Sequence, residues 1–336
     1  MRVLVTGGTG YVGGWCIAEL LRRGYDVRTT VRSAAKEAAV RRAVAGEVDP
    51  GDHLEVVVAD LLDDTGWPEA VAGCTAVLHV ASPLGGDGSR DPNALIAPAR
   101  DGALRVLKAA TAAGVSRVVL TSSLAAAAPP IGTRSTQTYD ETLWTDTTDR
   151  RLNPYRRSKA VAERAAWDFI ASTDGATTLA TVLPGAILGP VLDGQPLGSV
   201  QLIGALLDGR FPGVPRLGYS ITDVRDLADL HLRAMLAPEA AGERFVAVSE
   251  FLWLRAAAEE LRAKLGQDAA KVPTRSLPDF LLRALGLINA EVREVAPDLG
   301  RKNVYTSAKA QHLLDWQPRP AATTVVDCAR SLAAIH

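Results

Sequence analysis

Apolar runs alternate with helix-like segments through the first 190 residues of this chain. The runs are rich in Val, Ile and Leu without polar alternation, which is typical of parallel strands covered on both faces. We predict strands at residues 2–7, 26–32, 54–60, 76–82, 116–123 and 177–189. Helices are predicted between them, notably at residues 14–24, 93–114 and 154–172. This alternation predicts an α/β fold built on a doubly wound parallel sheet.

The pattern changes after Gly189. The segments "PVLDGQPLG" and "GRFPGVPRLGY" are rich in Gly and Pro, so the chain is expected to leave the sheet there. Residues 222–236 have the pattern of an N-capped helix, and residues 218–236 are expected to return to the first domain. We therefore predict a large domain at residues 1–189 and a smaller, mixed domain at residues 190–336. The smaller domain would contain the short strands "RFVAVS" and "NVYTS".

Composition agrees with two domains and limits the partners. The chain has 336 residues, which exceeds the usual single core. Its net charge is -1, so no general attraction to nucleic acid is implied. Three isolated cysteines in no metal-ligand spacing fit a reducing compartment and predict no metal site. The start "MRVLVTGG" enters a strand directly, so we expect a cytoplasmic protein without a membrane partner and allow for a homodimer.

The first strand leads into a glycine-rich turn, "TGGTGYVGG" at residues 6–14. Gly8, Gly10 and Gly13 match G-x-G-x-x-G, and Gly7, Gly10 and Gly13 match the looser G-x-x-G-x-x-G. Glycines let the chain turn sharply, let a pyrophosphate approach the backbone, and let the next helix pack closely. The amides that open that helix then face the anion. Because the motif follows a strand and precedes an amphipathic helix, it predicts dinucleotide binding.

The end of the second strand discriminates between the two nicotinamide cofactors. An acidic side chain there would bind the adenosine ribose, whereas an arginine would pair with a 2′-phosphate. This strand is followed by Arg32 and Lys36, with no carboxylate before Glu37. The alternative is that both cations are solvated loop residues. We predict NADP(H) as the cofactor and residues 1–189 as an NADP-binding Rossmann domain.

Tyr155 and Lys159 are four residues apart, which on a helix puts both side chains on one face. Pro154 suits the first turn of that helix. The strand before it ends in Ser122 and Ser123, and the carboxyl ends of parallel strands line the ligand crevice of a doubly wound sheet. We therefore expect the tyrosine, the lysine and a serine to meet beside the nicotinamide.

A second pair, Tyr305 and Lys309, has the same spacing. The segment "KNVYTS" predicts a strand that ends in a Ser or Thr cap before a helix. Tyr305 and Lys309 would then lie on different elements with no shared face. We interpret this second pair as unrelated to chemistry.

The chain resembles an extended short-chain dehydrogenase/reductase of the dihydroflavonol-reductase-like branch, within the NAD-dependent epimerase/dehydratase superfamily. The resemblance extends over nearly the whole chain. It is carried by "VTGGTGYVG", "VRTTVRS", "VLHVASP", "RVVLTSS", "YRRSKAVAERAAW", "VLPGAILGP", "TDVRDLADLHLRAM" and "SAKAQHLLDWQPR".

The resemblance implies an NADPH-dependent carbonyl reductase that acts on aldehydes or ketones. Ser123, Tyr155 and Lys159 match the family's catalytic residues. Tyr155 would donate a proton to the carbonyl oxygen, and Lys159 would lower the pKa of the phenol from about 10 and hold the nicotinamide ribose. Ser123 would hydrogen-bond the carbonyl oxygen.

The resemblance also implies contact residues. Those for the cofactor are Gly7, Thr9, Gly10, Tyr11, Val12, Gly13, Arg32, Lys36, Asp60, Leu61, Val80, Ala81, Ser82, Thr121, Tyr155, Lys159, Pro184, Gly185 and Ile187. Those for the substrate are Pro83, Leu84, Ser123, Leu124, Trp144 and Tyr155, and the smaller domain is expected to complete the pocket.

Four further residues have a simpler interpretation. His79 and His231 are expected to be packed residues, and Glu163 a solvated charge on the helix. For Trp144 a place in the substrate pocket and a place over the sheet are equally expected.

Two other functions stay open at this point. A nucleotide-sugar epimerase or dehydratase of the same superfamily usually carries an acid after the second strand, which this chain lacks. An NADP-binding protein without catalysis would be favoured by loss of the tyrosine or the lysine, and both are present.

Overall fold

The computed structural model describes residues 1–83, 94–133, 137–192 and 198–335. The strands are β1 (Arg2–Val5), β2 (Asp26–Val31), β3 (Leu54–Val58), β4 (Ala76–His79), β5 (Arg117–Thr121), β6 (Thr138–Tyr139), β7 (Thr178–Pro184), β8 (Ala186–Leu188), β9 (Val214–Pro215), β10 (Gly218–Asp223), β11 (Arg244–Ala247), β12 (Phe251–Trp253), β13 (Ser276–Leu277) and β14 (Val304–Tyr305). The helices are α1 (Tyr11–Arg22), α2 (Glu37–Ala45), α3 (Trp67–Val71), α4 (Ile96–Ala112), α5 (Pro154–Ala171), α6 (Val200–Leu207), α7 (Val224–Leu236), α8 (Leu254–Leu265), α9 (Asp279–Leu285), α10 (Ala290–Val295), α11 (Ala308–Leu314) and α12 (Ala321–Ile335).

Seven strands form the large sheet in the order β11-β7-β5-β4-β1-β2-β3. All neighbours in it pair in parallel. The chain starts in the middle at β1, moves outward to β3, and then returns to β4 on the other side of β1. That reversal creates a crevice at the carboxyl ends of β1 and β4, where ligands of doubly wound sheets bind. The predicted fold class is confirmed.

Helices cover both faces of this sheet. Val3 and Val5 of β1 belong to one core with α1, α2 and α7. Leu4, between them, belongs to a second core with α3, α4 and α5. Successive strand residues point to opposite faces, so a strand covered on both sides must be apolar at every position. This explains the apolar runs seen in the sequence.

The predicted strand at residues 177–189 is two strands that belong to different sheets. β7 lies in the large sheet, whereas β8 pairs with β10 in a three-stranded sheet of order β12-β10-β8. Gly185 separates them, and a Cβ built there would lie 2.1 Å from the carbonyl oxygen of Ser220. The Gly185 amide donates to Thr222 Oγ1 at 2.9 Å. Close approach of β10 at the glycine therefore breaks the strand.

A second expectation about placement was wrong. The segment "RFVAVS" was expected in the smaller domain, but β11 is an edge strand of the large sheet, paired with β7. Ala310 and Leu314 of α11 also pack into the core of the large sheet. The C-terminal part of the chain thus returns to the large sheet more than once. The proposed division at residue 189 remains a prediction.

A separate apolar core lies between the three-stranded sheet and helices α6, α8 and α12. Tyr11 of α1 packs against both this core and the core of the large sheet. Trp15 Nε1 also donates to the carbonyl oxygen of Pro190 at 2.9 Å, so α1 contacts the chain where it leaves β8. The glycine turn that precedes α1 therefore lies close to this separate apolar core.

Cys16, Cys74 and Cys328 are buried free thiols. No helix in the described ranges has both the length and the apolar character needed to cross a bilayer. Over the same ranges, no three His, Cys, Asp or Glu side chains group in a way that could hold a metal ion.

Candidate active site

The glycine turn after β1 is a tightly packed backbone loop. Gly7 has a φ of +74°, a conformation that favours glycine. A Cβ at Gly13 would lie 2.3 Å from the Gly7 carbonyl oxygen, and one at Gly8 would lie 2.5 Å from Thr29 Oγ1. The amide of Gly7 donates to Thr30 Oγ1 at 3.0 Å. Side chains at these positions would push the turn apart, so only glycines allow the tight turn that brings a pyrophosphate close to the amides that open α1.

The remaining predicted residues of this turn surround the start of α1. Gly10 is its N-cap, and no acidic side chain lies in the first turn. Thr9 is exposed, whereas Tyr11 and Val12 are half-buried. The absence of a carboxylate from the first turn leaves the positive end of the helix dipole available to an anion.

Arg32 and Lys36 follow β2 and are exposed. No hydrogen bond or ion pair joins either side chain to another residue within the described ranges. The amide of Gly8 donates to the carbonyl oxygen of Thr30 at 3.0 Å, which brings the end of β2 against the glycine turn. The two cations therefore follow a strand end that lies beside the cradle, and both are free to bind an anion.

The ends of β3 and β4 complete this side of the crevice. The amide of Ala81 donates to Thr6 Oγ1 at 3.0 Å, and a Cβ at Gly7 would lie 3.0 Å from the Ala81 Cβ. Asp60 is half-buried after β3, and its Oδ1 accepts from the Leu62 amide at 3.0 Å. The predicted contacts Leu61, Val80 and Ser82 are also half-buried at these strand ends.

Ser123, Tyr155 and Lys159 meet across β5 and α5. Helix α5 begins at Pro154, and the Asn153 side chain caps it by accepting from the Arg156 amide. The Ser123 side chain is placed to hydrogen-bond the Tyr155 hydroxyl. Lys159 Nζ lies 5.9 Å from the centroid of the Tyr155 ring.

The same lysine reaches the end of β4. Lys159 Nζ donates to Ser82 Oγ at 3.1 Å. The lysine therefore connects the helix that carries the tyrosine with the strand end that adjoins the glycine turn. A phenol, a hydroxyl and an ammonium group are thus brought together where a carbonyl could accept a proton.

The electrostatics differ from the sequence-based expectation in one respect. Desolvation raises the pKa of Tyr155 above its ordinary value, and the hydrogen bond with Ser123 opposes this rise. The expectation that Lys159 lowers the pKa of this phenol is therefore wrong for the protein alone. Desolvation lowers the pKa of Lys159 to about 8, against the opposing effect of Glu163. Near pH 7 the phenol is therefore neutral and the lysine mainly charged. The Tyr155 residue is 41% exposed to solvent.

A small cleft opens to solvent between the strand ends and α5. Its walls include four predicted contacts, Leu61, Ala81, Ser82 and Pro83, together with Lys159. Thr121 lines it too, but its Oγ1 lies 2.6 Å from His231 Nε2. His231 Nδ1 lies 2.8 Å from the Leu227 carbonyl oxygen, an acceptor, so the Thr121 hydroxyl donates to Nε2. The hydroxyl of Thr121 is thereby engaged within the protein.

The other predicted contacts divide into three groups. Pro184 is buried in β7, Gly185 lies at the strand break, and Ile187 packs on the core of the large sheet. Leu124 begins the short 3-10 turn that follows Ser123. Leu84 lies outside the described residues.

Trp144 lies beside two arginines. Its ring centroid is 3.6 Å from the Arg244 guanidinium carbon and 4.3 Å from that of Arg164. It is not among the residues that line the cleft described above. Of the two expectations for this side chain, the structure favours packing at the edge of the large sheet.

Glu163 was expected to be a solvated charge, and this expectation was wrong. The residue is 1% exposed and accepts hydrogen bonds from Ser122, Thr181 and Arg244. One signal was available, because Glu163 follows Lys159 by four residues and so shares the inner face of α5. What the sequence did not show was its partner Arg244, which lies 81 residues further along the chain.

His79 is buried, as expected of a packed residue. Its Nδ1 lies 2.8 Å from Thr6 Oγ1. Because Thr6 Oγ1 already accepts from the Ala81 amide, its own proton is free to be donated to Nδ1. Burial lowers the pKa of His79 to about 3, so it is neutral at pH 7.

The chain is similar in sequence to a known protein family and to named reductases. The model of the NAD dependent epimerase/dehydratase family matches residues 3–247. Ketoreductase azaE of Aspergillus niger is 33% identical over 315 residues, which cover 88% of this chain and 91% of the relative. Dihydroflavonol 4-reductase of Hordeum vulgare is 38% identical over 216 residues, covering 62% and 59%.

A solved structure agrees with these relatives. That of Gre2 from Candida albicans in complex with NADPH has a TM-score of 0.81 and 25% identity, and covers 100% of this chain and 99% of that one. The chain therefore belongs to the NAD-dependent epimerase/dehydratase family. The resemblance read from the motifs is confirmed, and so is the oxidoreductase class, since these relatives are named as reductases.

Proposed function

We propose that this protein is an NADPH-dependent carbonyl reductase that transfers hydride to aldehydes or ketones. The observation that carries the proposal is the Tyr155 hydroxyl, with Ser123 placed to hydrogen-bond it and Lys159 one helical turn away. These three groups stand at the strand ends beside a glycine cradle. A neutral proton donor next to a dinucleotide site is what reduction of a carbonyl requires.

The cofactor is NADP(H). Gly7, Gly8 and Gly13 hold the tight turn that presents the first amides of α1 to the pyrophosphate, because any Cβ there would meet neighbouring atoms of the turn and strands. Arg32 and Lys36 would pair with the 2′-phosphate, since both are exposed and uncommitted to other described residues. The related Gre2 of Candida albicans was crystallised with NADPH, which supports the same choice.

The protein's own groups would handle the proton and the position of the substrate. When bound, the nicotinamide supplies the hydride. Ser123 would donate to the carbonyl oxygen and fix its position, and Tyr155 would transfer its proton to that oxygen. Lys159 would place a positive charge beside the developing alkoxide.

The substrate is expected to be apolar around its carbonyl group. The turn after Ser123 has the sequence "LAAAAPP", and its partly exposed side chains include the apolar residues Leu124, Ala125 and Ala128. This wall offers few hydrogen-bond partners beyond Ser123 and Tyr155. We also place the protein in the cytoplasm, and the homodimer remains a prediction.

The test is steady-state reduction of a panel of aromatic and aliphatic aldehydes, ketones and β-keto esters, followed by NADPH absorbance. On the best substrate, Tyr155→Phe should keep NADPH binding and lose at least about 10²-fold in kcat, the usual scale of general acid catalysis. Fluorescence titration of NADPH measures the binding. Near wild-type turnover in Tyr155→Phe would sink the reductase mechanism and favour a protein that binds NADP without catalysis.

A further inference from the structure

Glu163 is a buried carboxylate beneath the three candidate catalytic residues. Its Oε2 accepts from Ser122 Oγ at 2.5 Å, and its Oε1 accepts from Thr181 Oγ1 at 2.8 Å. Arg244 Nε donates to the same Oε1 at 2.8 Å. Glu163 therefore connects α5 with the residue that follows β5, with the middle of β7 and with the first residue of β11. Ser122, which it holds, directly precedes Ser123.

Arg244 carries the connection to a second segment. Its Nη1 donates to the carbonyl oxygen of Glu141 and, at 3.0 Å, to that of Leu143. Its guanidinium carbon lies 3.6 Å from the ring centroid of Trp144. The ion pair thus fixes the backbone of residues 141–144 against the edge of the large sheet.

The next residue, Thr145, holds the turn that follows Ser123. Its Oγ1 donates to the Ala125 carbonyl oxygen at 2.8 Å and accepts from the Ala128 amide at 2.8 Å. Its amide donates to the Ala126 carbonyl oxygen at 3.0 Å. Ser123 is therefore constrained from both sides, by Ser122 before it and by the Thr145 contacts after it. Both constraints lead back to Glu163 and Arg244.

We propose that the Glu163–Arg244 pair is a positioning device that holds Ser123 at Tyr155 and keeps a negative charge beside Lys159. The proposal rests on the proposed function. Stability alone is a weak reason for such a pair, because replacing a buried ion pair by apolar side chains is often neutral or stabilising. The two side chains are 1% and 9% exposed, so the pair is of this buried kind.

The charge of Glu163 acts on Lys159 one turn away. Burial lowers the pKa of Lys159 to about 8, and Glu163 opposes this by raising it. Among the described residues, the other polar groups near Lys159 include His79 and Ser82 from β4 and its end, Thr121 and Ser122 from the end of β5, and Tyr155 on α5. His79 and Tyr155 are neutral at pH 7. Loss of the Glu163 charge should therefore lower the pKa of Lys159 further.

The geometric half of the proposal is tested by a matched pair of variants. Ser122→Ala and Thr181→Val each remove one hydroxyl donor to Glu163, but only Ser122 adjoins Ser123. Ser122→Ala should lower kcat about tenfold with NADPH affinity unchanged, whereas Thr181→Val should stay within about threefold of wild type. Equal effects of the two substitutions, or no effect of Ser122→Ala, would overturn it.

The electrostatic half is tested by Glu163→Gln. Because this variant leaves Arg244 as an unpaired buried charge and can fail to fold, Glu163→Gln with Arg244→Met is made beside it. The pKa of Lys159 is measured without cofactor from the ¹³Cε shift of labelled lysine, assigned by comparison with Lys159→Met. We expect that pKa to fall below about 8 in every folded variant that lacks Glu163 and to be unchanged in Thr181→Val.

The same shift should appear in the pH profile of reduction. Loss of kcat on raising the pH should begin at lower pH in the double variant than in wild type. An unshifted lysine pKa with a uniform loss of activity would leave Glu163 a structural residue and overturn this half. If wild type reduced no carbonyl, the proposed function would fail instead, and the lysine titration would still test the electrostatic effect.

Discussion

Tyr155 and Lys159 are separated by four residues, as are Tyr305 and Lys309, yet the two pairs lie in different kinds of structure. The first pair shares one face of α5, and its tyrosine is partly exposed with Ser123 placed to hydrogen-bond it. The second pair is divided between β14 and α11, as the sequence predicted. Spacing becomes a functional signal only when one helix spans both residues.

The surroundings of the second pair explain why it has no comparable role. Tyr305 packs on Tyr139, with ring centroids 5.7 Å apart, and burial raises its pKa far above the ordinary value. Lys309 forms an ion pair with Glu243. The phenol therefore has no charged partner within its own pair, and the lysine is already neutralised elsewhere.

The largest contrast is expected between the two lysines. Lys159→Met should lower kcat by about 10²-fold or more and weaken NADPH binding, because both a cation and a ribose contact are lost. Lys309→Met removes a partly exposed ion pair with Glu243, worth less than about 1 kcal/mol, and a contact with the Phe245 ring, both far from the proposed catalytic residues. Steady-state kinetics and NADPH titration of both variants measure this difference. Comparable losses would show that the pairs are not distinct in function.

The preference for NADPH over NADH should depend on residues beside the large sheet and not on the second pair. Arg32→Asp replaces an exposed cation by an anion where the 2′-phosphate is expected, so the KM for NADPH should rise at least about tenfold more than that for NADH. Lys302→Asp is the control, since this lysine lies near the second pair, over Phe251. An unaltered preference in Arg32→Asp would place the phosphate elsewhere.

The pH dependence should report Lys159 rather than either tyrosine. Because burial lowers the pKa of Lys159 to about 8, its charge is present below that pH and is lost above it. Reduction at saturating substrate and cofactor should therefore fall as the pH rises through about 8. The pKa of Tyr155 is raised, so its own ionisation belongs to higher pH. A profile that stays flat to pH 10 would contradict the role given to the lysine.

The smallest effect is expected for Tyr305→Phe. Its ring packs on Tyr139, and its strand β14 pairs with β6 outside the large sheet. We therefore expect kcat and KM both to stay within about twofold of wild type, under 0.5 kcal/mol in the barrier. The melting temperature is measured alongside to verify the fold. A folded Tyr305→Phe protein as inactive as Tyr155→Phe would reverse the assignment of the two pairs.

The parts of the site that were predictable are local ones. Five of the six predicted strands, a glycine turn after the first and a proline-started helix at residue 154 appear where the patterns indicated. Each depends on neighbours within a few residues, such as the positive φ of Gly7 or the cap of Asn153. The strand predicted at 177–189 was only half right, because contact with Ser220 of β10 breaks it at Gly185.

By itself the sequence determined the sheet, the cradle and the shared face of Tyr155 and Lys159, since these follow from side-chain period and backbone freedom over one or two turns. The tertiary structure decided the burial of Glu163, the place of β11 and the raised pKa of Tyr155. These depend on desolvation and on partners that are distant in the chain, such as Arg244. A carboxylate on a helix reads as exposed until the fold brings a buried cation to it.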